Sequence, residues 1–239
     1  GLPLESLLSG EDLYVVNAAS NDISVISLAN SQLRAHIEVG GFPMGIAQSL
    51  DGAFIYIDNA VDGSMSVIDA ESLTEISRTV VTQLPLDDNV KQGLKLFHSS
   101  DDTRMAKDQW ISCATCHFDG GSDNQTWHFP DGLRNTPSLI ATSLTGPFHW
   151  SGNLDEVQDV ENTIRELQGG TGLVSGEDNC TPTCDGAEKN TGRSEALDNL
   201  TAFIATLRFG ADVTEASDIP SPEQRGEVLF TSTVLNCTE

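Results

Sequence analysis

The sequence predicts a multidomain chain of β then α class. A β-rich repeat segment covers residues 1–82, a mainly helical domain 83–220, and the start of a further domain 221–239. Three observations predict it. Short apolar runs recur without a gap at an offset of 42 residues, and the apolar spacing turns helical after Val81. A Cys-x-x-Cys-His cluster then falls in the helical half.

The repeat comes first. Tyr14/Tyr56, Asn17/Asn59, Ala18/Ala60, Ser24/Ser66, Val25/Val67 and Ile26/Ile68 coincide. A period near forty, with β-rich runs parted by Gly, Asn and Asp turns, is the spacing of propeller blades. Between the copies, Gly40 to Ala47 reads as a strand and Ser49-Leu50-Asp51-Gly52 as a tight turn. A partial β-propeller is therefore expected here; a small β-sandwich is the other arrangement these runs allow. Over roughly residues 10–82 the repeat resembles the YVTN family of β-propellers. Fewer than two blades cannot close a ring, so further blades are expected ahead of Gly1.

Helical signals begin past the linker Gln83-Leu84-Pro85-Leu86. Asp87 or Asp88 offers an N-cap, and Val90, Leu94 and Phe97 predict a helix over 88–98. Asn153 is expected to cap a second helix bearing Val157, Val160, Ile164 and Leu167, ended by Gly169-Gly170. Ser194 is expected to cap a third, with Leu197, Leu200, Ile204 and Leu207 inward. Ser221-Pro222-Glu223 starts another, and residues 169–192 read as a surface loop.

The chemistry is centred on Ser112-Cys113-Ala114-Thr115-Cys116-His117. Two cysteines two residues apart, followed directly by histidine, are the attachment pattern of c-type haem. Each sulfur joins one vinyl group, and the imidazole binds the iron. A zinc half-site would need a second Cys/His pair, and the other close cysteines, Cys180 and Cys184, have no histidine beside them. Those two are open to a small-loop disulfide or to free thiols. Gly93-x-x-Leu96-Phe97 ahead of the motif recurs as Gly226-x-x-Leu229-Phe230 ahead of Cys237. Cys237 is thus expected to open a second haem motif.

Charge and length bound the function. Twelve Lys plus Arg stand against thirty-six Asp plus Glu, a formal net charge of −24. Phosphates would be repelled, so nucleic acid and anionic membranes are poor partners. No run of eighteen apolar residues reads as a membrane span. Haem of this kind is attached after export, so a periplasmic or extracellular protein with a leader ahead of Gly1 is expected.

Taken in order, Gly93-x-x-Leu96-Phe97, Ser112 to His117, Arg134-Asn135-Thr136-Pro137-Ser138-Leu139 and Phe148-His149-Trp150-Ser151-Gly152 resemble bacterial di-haem cytochrome c peroxidases and MauG-like proteins. The resemblance covers about residues 87–170, with a second haem domain from about 221. It implies a class I cytochrome c fold, with haem c anchored on Cys113 and Cys116 and His117 as the proximal iron ligand. Trp150 matches the tryptophan that relays electrons between haems, and Asn135 the asparagine of an interdomain calcium. His128 stands near the place of the sixth ligand, with His149 and Met105 as rivals. Gln158 and Glu166 fall near the peroxide-pocket pair, at a different spacing. Ser151-Gly152-Asn153 follows Trp150 where the family carries Asp-Gly-Arg, so a charged pair is missing. The implied function is a peroxidase-like haem oxidoreductase, served by a small cytochrome c or cupredoxin donor, with peroxide as a candidate substrate. A purely electron-transferring cytochrome with a propeller that binds a partner is the alternative.

Overall fold

The structure, a computed structural model, describes residues 1–129, 132–176, 188–208 and 228. Gly1–Leu207 forms one compact unit and Arg208–Glu239 a second. Cys180, Cys184, Cys237 and most of the segment from 221 onward lie outside the described residues.

Eight strands open the chain: β1 (Pro3–Ser9), β2 (Asp12–Asn17), β3 (Asp22–Ser27), β4 (Gln32–Glu38), β5 (Pro43–Gln48), β6 (Phe54–Asn59), β7 (Ser64–Asp69) and β8 (Thr74–Val80). They form two four-stranded antiparallel sheets in sequence order, β1-β2-β3-β4 and β5-β6-β7-β8. The first sheet is complete and starts at Pro3, ahead of residue 10, where the sequence repeat first reads clearly.

The offset of 42 governs geometry as well as sequence. Left-handed backbone falls on Gly10 and Gly52, on Asn21 and Gly63, and on Ser31 and Leu73. Bulges interrupt the last pairing at Val25/Ile26 and again at Val67/Ile68. Asn17 Nδ2 donates to Asp22 Oδ1 at 2.7 Å and Ser24 Oγ at 2.9 Å. Asn59 Nδ2 donates to Ser64 Oγ at 3.1 Å and Ser66 Oγ at 2.8 Å. Each asparagine clamps the turn between equivalent strands.

The two sheets nevertheless bury opposite faces. In the first, Tyr14, Val16, Ile23 and Val25 are buried; in the second, Ile55, Ile57, Ser66 and Ile68. Tyr56, the counterpart of Tyr14, is only half-buried, and Met65, the counterpart of Ile23, is 38% exposed. Strands alternate their side chains, so identical repeats stacked front to back must use alternate faces. Residues of both sheets meet in one apolar core.

A second core joins the sheets to the helices. It holds Ala18, Phe42 and Val61 from the sheet ends with Phe97, Met105, Ala114, Ile164, Leu197, Leu200 and Ile204. Helix α1 (Asp88–His98) matches the predicted span, although Asp87 makes no side-chain cap bond. It crosses α4 (Glu195–Thr206) at Gly93, where a Cβ would lie 1.9 Å from the Asn199 carbonyl oxygen. Only glycine permits that approach. Ser194 Oγ caps α4 from the Leu197 N–H at 3.3 Å, as predicted. The helix expected after Asn153 begins later, as a 3₁₀ turn at Val157–Asp159 leading into α3 (Val160–Glu166). Its start is capped by Glu156 and Asp159, not by Asn153.

Candidate functional site

Helix α2 is a single turn, Cys113–Cys116, preceded by Ser112 and followed by His117. Thr115 Oγ1 accepts from the Ser112 N–H at 3.1 Å, and the His117 N–H donates to the Cys113 carbonyl at 2.9 Å. One turn therefore carries both sulfurs and delivers the imidazole at its end. Cys113 and Cys116 are free thiols. Burial pushes both thiols up to about 11, helped at Cys116 by the nearby Asp123 carboxylate. They remain protonated near neutral pH.

The chain after the helix folds back under His117. The 3₁₀ turn Phe118–Gly120 passes through left-handed backbone at Asp119 and Gly120. His117 Nδ1 then meets the Gly121 carbonyl oxygen at 3.3 Å. The Pro137 backbone also hydrogen-bonds the ring, and the nitrogen that does not donate is the one a metal would take. Burial is the main cause that holds the His117 pKa below the ordinary imidazole value, so the ring is neutral and able to ligate. His149 lies near enough for its charge to lower that pKa further.

Two strands that the sequence did not suggest follow, β9 (Thr126–Phe129) and β10 (Gly132–Asn135), paired antiparallel. They carry several candidates. His128 is exposed on β9 opposite Leu133. Trp127 Nε1 donates to Asp123 Oδ2 at 2.8 Å, and Asn135 Nδ2 to Thr126 Oγ1 at 2.9 Å. Trp150 is 61% exposed, and its Nε1 donates to the Asn135 carbonyl at 2.6 Å.

The remaining candidates stand apart from the cysteines. Gln158 Nε2 donates to Asp198 Oδ1 at 3.1 Å, tying the start of α3 to α4. Glu166 is exposed at the end of α3. Met105 is fully buried in the core beside Phe97 and Ala114. No group of three or more His, Cys, Asp or Glu among the described residues could hold a metal ion. Asn135 accordingly has no carboxylate cluster around it there.

Sequence reasoning missed Gln168. It is buried, with Nε2 3.9 Å from Cys113 Sγ and Oε1 without a hydrogen-bond partner. No local pattern marks it, because its contact partner lies 55 positions away.

The donor set fits haem c. Two thiols one turn apart and a neutral imidazole at the end of that turn are what such a group requires. These features define a c-type haem-attachment segment. Residues 87–201 match the sequence model of the di-haem cytochrome c peroxidase family. The family implies haem c.

A cytochrome-c peroxidase, IdrP2 of Denitromonas iodatirespirans, is 33% identical over 86 residues, 34% of this chain. The chain spans 22% of that relative's length. Among solved structures, the hydrazine synthase of Kuenenia stuttgartiensis matches at 27% identity and a TM-score of 0.33, covering 35% of this chain and 24% of that one. The dihydro-heme d1 dehydrogenase NirN matches at 21% identity and a TM-score of 0.29, covering 31% of this chain and 16% of that one.

Proposed function

We propose that this chain is a c-type haem oxidoreductase that moves electrons and reduces peroxide. The observation that carries it is the turn Cys113–Cys116 with His117 at its end, Nδ1 engaged on Gly121. Cys113 and Cys116 would each hold one vinyl carbon as a thioether, S–H adding across the C=C so that no oxidant is consumed, and His117 would hold the iron through an imidazole nitrogen. When bound, haem supplies reversible one-electron chemistry and a site for peroxide.

This chain's residues then orient and connect. His128, exposed on β9, and His149, near His117, are the candidates for a second iron ligand. Trp150, pinned by the Asn135 carbonyl, is assigned the electron-relay role, and Cys237 the opening of a second haem motif. Asn135 is kept as a calcium contact on the resemblance alone. Peroxide reduction takes two electrons and two protons to give two waters, the electrons coming from a reduced cytochrome c or cupredoxin. Residues 1–82 are two blades of a larger β-propeller, 83–220 the first haem domain and 221–239 the start of a second. The use of opposite faces by the two sheets supports the propeller over a two-fold sandwich. We place the protein outside the cytoplasm, where haem c is attached.

The test is the full chain made in a cell that matures cytochromes. We expect pigment that acidified acetone does not extract, lost in Cys113→Ala/Cys116→Ala, and peroxide consumed with a reduced donor. Colourless protein would end the proposal. Two observations favour a purely electron-carrying role: Glu166 is exposed, and the polar side chain buried on Cys113 is an amide. That reading expects a low-spin spectrum unchanged by cyanide or peroxide.

A further inference from the structure

Gln168 is the buried polar side chain the foregoing chemistry leaves unused. It is 6% exposed. Its backbone carbonyl accepts from the Lys107 N–H at 3.0 Å and from Trp110 Nε1 at 3.1 Å. An antiparallel bridge pairs Ala106 with Gly169. At Gly170 a Cβ would come within 2.2 Å of the Arg104 carbonyl oxygen, so the two segments are in backbone contact. The main chain around Gln168 is therefore held against the strap that leads into the haem motif.

The side chain points the other way in its bonding. Nε2 reaches Cys113 Sγ at 3.9 Å, a weak bond that sulfur accepts as thiol or thioether. Oε1 is buried and unpartnered. Leaving such an acceptor unsatisfied costs about 1–3 kcal/mol, and folds keep few of them. An amide also neither gains nor loses a proton near neutral pH, so its dipole is constant.

We infer that Gln168 is a positioning residue of the haem site. Its Nε2–H faces and steadies the sulfur of Cys113, so the positive end of the amide dipole is turned to the atom that would carry the haem. This rests on the haem reading above. It assigns the buried position beside Cys113 to a fixed, non-titrating polar contact that tunes the iron's reduction potential.

The full chain, Gln168→Glu and Gln168→Leu are matured with haem and compared by haem stoichiometry, visible spectrum and reduction potential. A carboxylate beside the site stabilises the more positive oxidised state and lowers the potential. Gln168→Leu removes the N–H that faces the Cys113 sulfur and lowers it by less. The expected order is Gln168→Glu lowest, Gln168→Leu between, and the natural chain highest, all with covalent haem. Gln168→Met, of matching length, replaces the leucine variant if that one does not fold. Equal potentials, or a Gln168→Leu potential at or above that of the natural chain, would overturn the inference, as a packing role alone predicts. Absence of covalent haem from the unaltered chain would overturn the haem reading and this inference with it.

Discussion

The two sheets and the haem segment are stabilised in different ways. In the sheets every device occurs twice: left-handed turns, a bulge and an asparagine clamp recur 42 residues apart. In the segment from Asp88 to Leu207 the decisive contacts occur once and span long separations, as Trp110 to Gln168 and Gln158 to Asp198 do. Repetition spreads stability over many equivalent contacts. A single-copy scaffold concentrates it on a few residues, so substitutions there should cost more.

The sharpest test lies at Gly93. A methyl group there meets the Asn199 carbonyl oxygen at 1.9 Å and Phe203 Cβ at 2.8 Å. The oxygen belongs to helix backbone and cannot swing aside, so α1 must lift from α4. Gly93→Ala should cost about 3 kcal/mol, the upper range for overpacking. Denaturant titration followed by near-UV circular dichroism measures it. A midpoint equal to that of the natural chain would break the comparison.

The asparagine clamps test the repeated half. Asn59 is fully buried, and Asn59→Ala strands the hydroxyls of Ser64 and Ser66, for about 2 kcal/mol. Asn17→Ala should cost less, about 1 kcal/mol, because Asp22 keeps its contact with His36 Nε2 at 2.8 Å. Equal losses in the same titration would show that burial does not separate the two clamps.

These contrasts also explain what was legible in the sequence. Strand positions of both sheets followed from alternation and the shared offset, and α1 and α4 from spacing and the Ser194 cap. Which face each sheet buries was not legible, because Tyr14 and Tyr56 are identical residues with different neighbours. At the site, Cys113, Cys116 and His117 were legible because they act within one helical turn. Gln168 was not, because its role depends on a chain reversal that brings it back to Cys113. The β9–β10 hairpin escaped notice since Trp127, His128 and Phe129 carry no alternating pattern.

The smallest expected effect concerns the place where the two regions meet. His98, at the end of α1, packs edge-on against Phe42 from the sheets at 4.4 Å between ring centres. Phe97 and Phe203 from the helices lie at 5.1 and 5.8 Å. Its Nδ1–H is placed to donate to the Leu94 carbonyl oxygen at 2.9 Å, and burial lowers its pKa from 6.5, opposed by that bond and by Asp119. The folded protein therefore holds His98 neutral at a pH where the unfolded chain already takes up a proton. Its contribution is complete above the unfolded value of 6.5 and is lost as pH falls from there through the folded pKa. His98→Gln removes the titrating group, so the stability of the variant should fall less between pH ~7 and ~5 than that of the natural chain. Denaturation midpoints across that window measure the difference, which isolates His98 from Asp101, whose pKa burial raises. Parallel pH profiles would mean that the aromatic contacts between sheets and helices accept the charged ring as readily as the neutral one.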